Sequence, residues 1–308
     1  KTWRQAVDAQ GVDRFCNKRQ SVEDFYFSSL YTPYRVHMQL SNCISNQYHV
    51  GILVGWIFQS KSLVSLDLSW NNMNRHMTVL MHALARSKLH TLNLHHCQIK
   101  PDGAKALADA LRGNAVLTVL RMGGNPLGPE GYKALSEALK LNTFLKELDL
   151  IALSGESAQM GRPVGAKYLS EALLVNRALI KLNINGNSGI AGEAAQQLAA
   201  AVLGSKTLEV FSKIPIKEIR EDKHTELSFY GNGLGPTEGH VLAALIQGSA
   251  VLTKIVISDN KIKDEGAIAL GGALKTNKTL KELELMYCEI GLEGGKALAS
   301  ALSEGSAV

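Results

Sequence analysis

Residues 92–100 read "LNLHHCQIK", and His95, His96 and Cys97 are three consecutive side chains that each suit zinc or copper. If the stretch is a strand, however, neighbouring side chains leave on opposite faces, and the three diverge instead of meeting at one ion. Glu282 and Glu284 are spaced like a general acid–base pair, yet any exposed strand surface can show that spacing. "GLEGGKALA" (291–299) holds a Gly-Lys pair without the spacing of a phosphate-binding loop. The chain contains no HExxH and no GxSxG. No catalytic residue, cofactor or metal site is therefore expected.

The elements that must position these residues recur. "LHTLNLHHCQIKPDGAKALADALRGNAV" (89–116), "LTVLRMGGNPLGPEGYKALSEALKLNTF" (117–144), "LTKIVISDNKIKDEGAIALGGALKTNKT" (252–279) and "LKELELMYCEIGLEGGKALASALSEGSA" (280–307) align without gaps. They share LxxLxLxxN/CxIxxxGxxxLxxALxxN. Further copies start at Leu63, Leu145, Leu179 and near Thr225, and a degenerate first copy starts near Arg35. About nine to ten repeats are expected over 35–308, one of them partial at 208–223.

Each unit has a physical logic. In LxxLxL the apolar residues alternate, as in a short strand with one buried face. The ninth position holds Asn71, Asn125, Asn187, Asn232 and Asn260, whose amides can satisfy backbone groups in a buried turn. Cys43, Cys97 and Cys288 take the same position, so Cys97 is expected to point inward. Ala104, Leu107, Ala108 and Leu111 then fall on one helix face. One strand–helix unit cannot bury both its faces, so units must stack.

This pattern resembles the ribonuclease-inhibitor-like subfamily of leucine-rich repeats. The resemblance implies an α/β fold, a right-handed horseshoe with an inner parallel β-sheet and outer α-helices. Relatives on this reading include ribonuclease inhibitors, Ran GTPase-activating proteins, the sensing ends of NOD-like receptors and many scaffold proteins. Ribonuclease inhibitors are usually acidic and cysteine-rich, unlike this chain. The arginine, asparagine and acidic-tail features on which Ran GTPase activation depends find no matching motif here.

Three stretches break the period. Residues 1–34 carry Phe15, Phe25, Tyr26, Phe27, Tyr31 and Tyr34 outside the repeat and are expected to cap the first unit. An insertion falls near 153–165, between strand and helix. The charged stretch 212–226 lacks a helix pattern and is expected to be an extended or 3₁₀ cover over the core.

Between the buried leucines, residues should face the concave side. Trp70, His95, His96, Arg121, Asp149, Tyr230, Met286 and Tyr287 are the candidate partner-binding set, rich in residue types that anchor interfaces. Acidic residues on that face are at least as numerous as basic ones, so no phosphate-tracking stripe forms and nucleic acid is not expected. The net charge of +5 is spread elsewhere. No apolar run is long enough for direct membrane insertion. Four scattered cysteines without a CxxC pair favour a reducing, intracellular setting: cytoplasm, cytoskeleton or organelle. The "NKT" sequon at 277–279 lies at a helix end and adds little towards secretion. The chain opens on Lys, so a processed product or fragment is expected. The expected role is a protein-interaction scaffold or subunit of a multi-subunit assembly. The alternatives are a ligand-sensing repeat domain of a NOD-like regulator or a Ran-type GTPase-activating protein.

Overall fold

An apolar residue at the fourth position of each repeat aligns the strands. The computed structural model describes residues 36–42, 44, 47–60, 62–152 and 163–303. The expected cap over 1–34, Cys16, Cys43, residues 153–162 of the insertion and residues 304–308 lie outside the described residues. The chain divides into two compact units, Lys1–Asp149 and Leu150–Val308.

In the first unit, β1 (Val36–Gln39), β2 (Leu63–Asp67), β3 (Thr91–Asn93), β4 (Val119–Arg121) and β5 (Glu147–Asp149) pair in parallel. The register puts Met38, Leu66, Leu92, Leu120 and Leu148 in one row, all buried. Helices Gln47–Gln59, Met77–Leu84, Pro101–Gly113 and Gly128–Leu141 follow the strands. Ala104, Leu107, Ala108 and Leu111 are buried on the third of these, as the spacing predicts. Each such leucine contributes roughly 1.5–3 kcal/mol, but only when a neighbouring repeat covers it.

Asparagine ladders lock the repeats together. Asn125 accepts from the backbone N–H groups of Cys97 and Ile99 in the preceding repeat, at 2.9 and 3.0 Å. Its Nδ2 donates to the carbonyls of Leu94, Met122 and Gly123. A second polar residue follows the helices, asparagine in some repeats and serine such as Ser205 and Ser249 in others: Asn142 Oδ1 accepts from Phe144 and Leu145, and its Nδ2 donates to the Leu111 and Asn114 carbonyls. These amides satisfy backbone groups that no strand or helix can reach.

The second unit holds helix Pro163–Val175, β6 (Lys181–Asn183), helix Glu193–Gly204 and β7 (Val210–Phe211). After these come helix Ile216–Arg220, β8 (Glu226–Ser228), helix Pro236–Gly248, β9 (Lys254–Val256), helix Lys263–Leu274, β10 (Glu282–Glu284) and helix Leu292–Ser303. Strand β6 pairs with β7, and β8 with β9 and then β10, but β7 and β8 lie in different sheets.

The break follows from residue types. Counting from Leu208, position six is Lys213 and position nine is Ile216, so the buried leucine and the turn asparagine are both missing. Instead Ser212 and Lys213 turn the chain at φ 48° and 68°, and Phe211 bridges back to Ile214. The expected extended or 3₁₀ cover is corrected here to a five-residue α-helix, Ile216–Arg220. It forms because Ile216 and Ile219, three apart, both bury over the core. In every complete repeat the position-six N–H bonds to the next strand's backbone, as Leu94 does to Arg121. The equivalent N–H of Ile184 finds the Ser212 hydroxyl instead, and that hydroxyl donates to Glu238 at 2.7 Å.

Candidate functional site

Position eight follows each strand, where the chain must turn towards its helix. Its N–H still reaches the next repeat: Trp70 donates to His95 O at 2.8 Å and His96 to Gly123 O at 2.9 Å. Most position-eight residues make that bond while turning on left-handed backbone. In the first unit Asn42, Trp70, His96 and Gly124 take φ of 53°, 62°, 53° and 71°. In the second, Gly186, Gly231, Asp259 and Tyr287 take 79°, 61°, 60° and 58°. Glycine is at home there and Asn, Asp and His are tolerated; tryptophan and tyrosine are unusual.

Two of those bulky residues meet. The Trp70 and His96 rings stack with centroids 3.9 Å apart and planes 8° apart. The His96 ring in turn lies on the backbone of Gly124, where a Cβ would fall 2.3 Å from it. Trp70, His96 and Gly124 thus form a stair across three repeats, and Trp70 remains 55 % exposed.

The neighbouring strand positions carry charge. Register sets Asp67 beside Asn93, Asn93 beside Arg121, and Arg121 beside Asp149. His95 Nε2 lies 3.8 Å from Asp149 Oδ2, an ion-pair distance but longer than a hydrogen bond. Burial pushes the His95 imidazole below its ordinary value; Asp149 and Asp67 oppose this, and His96 and Arg121 add to it. Near neutral pH the ring is therefore mostly uncharged, and His95, its side chain 21 % exposed, is less open to a partner than its type suggests. Cys97 is fully buried, and its thiol donates to the Leu68 carbonyl at 3.0 Å, away from both imidazoles. Burial pushes that thiol up to about 12. Among the described residues, no three His, Cys, Asp or Glu side chains cluster as a metal site would require.

The remaining candidates sit on the second unit. Tyr230 and Met286 take position seven of their repeats and are 61 % and 59 % exposed; Tyr287, at position eight, is 81 % exposed. Beside them Lys254 bridges Glu282 at 2.6 Å and Glu284 at 2.9 Å, which holds its ammonium above the ordinary lysine range. The carboxylate pair that could have suggested acid–base chemistry is thus bridged by one lysine.

Neither Asp67 nor Gly124 is among the residues that the sequence pattern singles out on this face. The available signal was the column of Gly124, Gly186, Gly231 and Asp259 at one repeat position, which marks left-handed backbone and makes Trp70, His96 and Tyr287 stand out.

Repeated strand–helix units, parallel register and asparagine ladders define a protein of stacked repeats. The leucine-rich repeat family pattern matches residues 59–75, 87–108, 113–136, 248–271 and 276–299. The chain is a leucine-rich-repeat protein, with the α/β solenoid architecture of 28-residue repeats. A 63-residue segment is 44 % identical to Ran GTPase-activating protein 1 of Xenopus laevis, covering 20 % of this chain and 11 % of that protein. A solved structure titled Leiomodin-1 Actin-Binding Site 2 matches at 19 % identity and a TM-score of 0.33, over 38 % of this chain and 65 % of that one. The chain thus spans about a tenth of the first relative and under two thirds of the second.

Proposed function

We propose that this chain is a non-enzymatic protein-binding scaffold, or a subunit of a larger assembly, that engages its partner through the open strand faces of its repeats. One observation carries the reading. At position eight, where three other repeats use glycine, Trp70, His96 and Tyr287 keep large rings on left-handed backbone, and Trp70 and Tyr287 are more than half exposed. A bulky residue in that conformation costs about 1–2 kcal/mol. A ring facing solvent returns little of that cost by burial, so contact with a partner is the natural reason to keep it. Leucine-rich repeats generally serve as protein-interaction modules, which supports the same reading.

Protein fits this surface better than nucleic acid, because Asp67, Glu147 and Asp149 outnumber Arg121 on the first unit's strands. No described helix is long and apolar enough to cross a membrane. The buried free thiols of Cys97 and Cys288 suit a reducing, intracellular compartment. Residues 35–308 fit a single repeat domain flanked by 1–34 as a cap.

Native affinity capture of the full chain, in parallel with Trp70→Gly and Tyr287→Gly, tests the proposal. A protein retained by the parent chain and lost from either variant supports it. A chain that stays monomeric and partner-free across its native sources overturns it. A second reading, regulation of a small GTPase, is favoured by the segment 44 % identical to Ran GTPase-activating protein 1. Stimulated GTP hydrolysis by Ran would establish it, and an unchanged rate would remove it.

A further inference from the structure

We infer that the partner presents an arginine side chain, which the Trp70 ring and the Asp67 carboxylate receive on the first unit's strand face. The inference rests on the protein-binding reading above and names the chemistry that this surface would recognise. Four observations on neighbouring residues converge on it.

The first is the aromatic plane itself. Trp70 is held by a parallel stack on His96, itself seated on the Gly124 backbone, so the indole cannot lie down on the sheet. A planar surface fixed in this way and 55 % exposed is suited to a planar cation.

The second is the carboxylate. Asp67 stands three residues earlier, at the end of the strand, and one of its oxygens is oriented by the Ser69 N–H at 2.8 Å. That bond fixes the carboxylate's direction without neutralising it, and leaves the second oxygen able to accept a guanidinium N–H.

The third is the balance of charge. Positions three and five of this unit's strands hold Asp67, Glu147 and Asp149 against Arg121, so an incoming cation is favoured over an anion. His95 stays neutral near pH 7, because burial lowers its affinity for a proton, and it adds no opposing charge there.

The fourth is a contrast within the molecule. On the second unit the comparable carboxylates, Glu282 and Glu284, are already occupied by Lys254 at 2.6 and 2.9 Å. Among the described residues the chain supplies its own cation on the second unit's strand face and none in an ion pair with Asp67.

The test uses the full chain and three fluorescein-labelled probes, hexa-arginine, hexa-lysine and hexa-glutamate, titrated by anisotropy at physiological salt. Hexa-arginine should bind, hexa-lysine should bind about threefold or more weakly, and hexa-glutamate should not bind. Trp70→Gly should weaken hexa-arginine by roughly tenfold, Trp70→Phe should restore most of the loss, and Asp67→Asn should cost about fivefold. Because glycine suits the left-handed backbone at position 70, the melting temperature of Trp70→Gly should not fall, which separates lost binding from lost folding. Glu284→Gln, on the other unit, should leave hexa-arginine affinity unchanged.

Failure of hexa-arginine to bind, equal binding by parent and Trp70→Gly, or a preference for hexa-glutamate would each overturn the inference. If the parent chain still captured a native protein in those cases, the scaffold reading would survive without the arginine. If it captured none, that reading would fall whatever the peptides did.

Discussion

The two units solve the same stacking problem with different residues. From β2 to β4 the first unit keeps a regular ladder, with buried Asn71, Cys97 and Asn125 at the turns that follow the strands and a leucine or methionine at the inner strand positions. The second unit loses that ladder after β7, and Ser212 and Glu238 take over where backbone and asparagine served before. Their strand faces differ as well: the first shows an aromatic stair beside carboxylates, the second a lysine clamped by two glutamates with exposed tyrosines alongside. A repeat therefore tolerates the loss of its turn if a side chain can reach the stranded N–H. What it presents on the open face is set independently of what holds it together.

The comparison can be broken most severely at position eight. A Cβ on Gly186 would lie 1.8 Å from the Ala152 carbonyl oxygen, at a φ of 79°, and backbone cannot move aside. Gly186→Ala should cost about 4 kcal/mol or more, read as a collapse of the urea midpoint. Gly124→Ala meets only the His96 ring, which can swing away, so about 1–2 kcal/mol is expected, together with loss of the Trp70 stack. Equal costs at the two glycines would show that the ring is as immovable as backbone.

Next in size are the turn residues. Asn125→Ala strands the N–H groups of Cys97 and Ile99 and three carbonyls, and should cost about 3 kcal/mol by urea denaturation. Cys97→Ala removes one weak thiol donor and a small apolar volume, for about 1 kcal/mol.

The smallest effects distinguish the units by the sign of their pH dependence. Burial raises the Glu238 carboxyl above its ordinary 4.5, so its contribution is fully present below that value and is lost as pH rises through the higher folded value. Burial lowers His95 below its ordinary 6.5, so its contribution is present above 6.5 and is lost as pH falls through the lower folded value. The Asp149 and Asp67 carboxylates soften this second effect, while His96 and Arg121 sharpen it. Melting scans from pH 5 to 8 should show Glu238→Gln gaining on the parent chain towards the alkaline end. His95→Gln should gain towards the acidic end. Parallel curves would mean that neither group titrates differently on folding.

Much of this was legible from spacing. The row through Leu66, Leu92 and Leu120, the helix face through Leu107 and Leu111, and the inward direction of Cys97 all follow from repeat position. That the unit at 208 is incomplete was also visible. That its cover is helical was not, because "IPIKEIR" is too short for periodicity to tell helix from extended chain. The Trp70–His96 stack lay beyond reach for another reason: the rings are 26 residues apart, and their contact depends on backbone handedness at both positions.

The sequence by itself determined the repeat, its length and which side chains enter the core, because burial of alternating leucines is a local rule repeated many times. Only the tertiary structure decided which surface groups are spoken for. Lys254 meets two glutamates, Trp70 meets a histidine, and His95 lies over Asp149 rather than reaching outward. Those outcomes depend on the offset between neighbouring repeats and the direction in which each strand ends, and no single repeat encodes either.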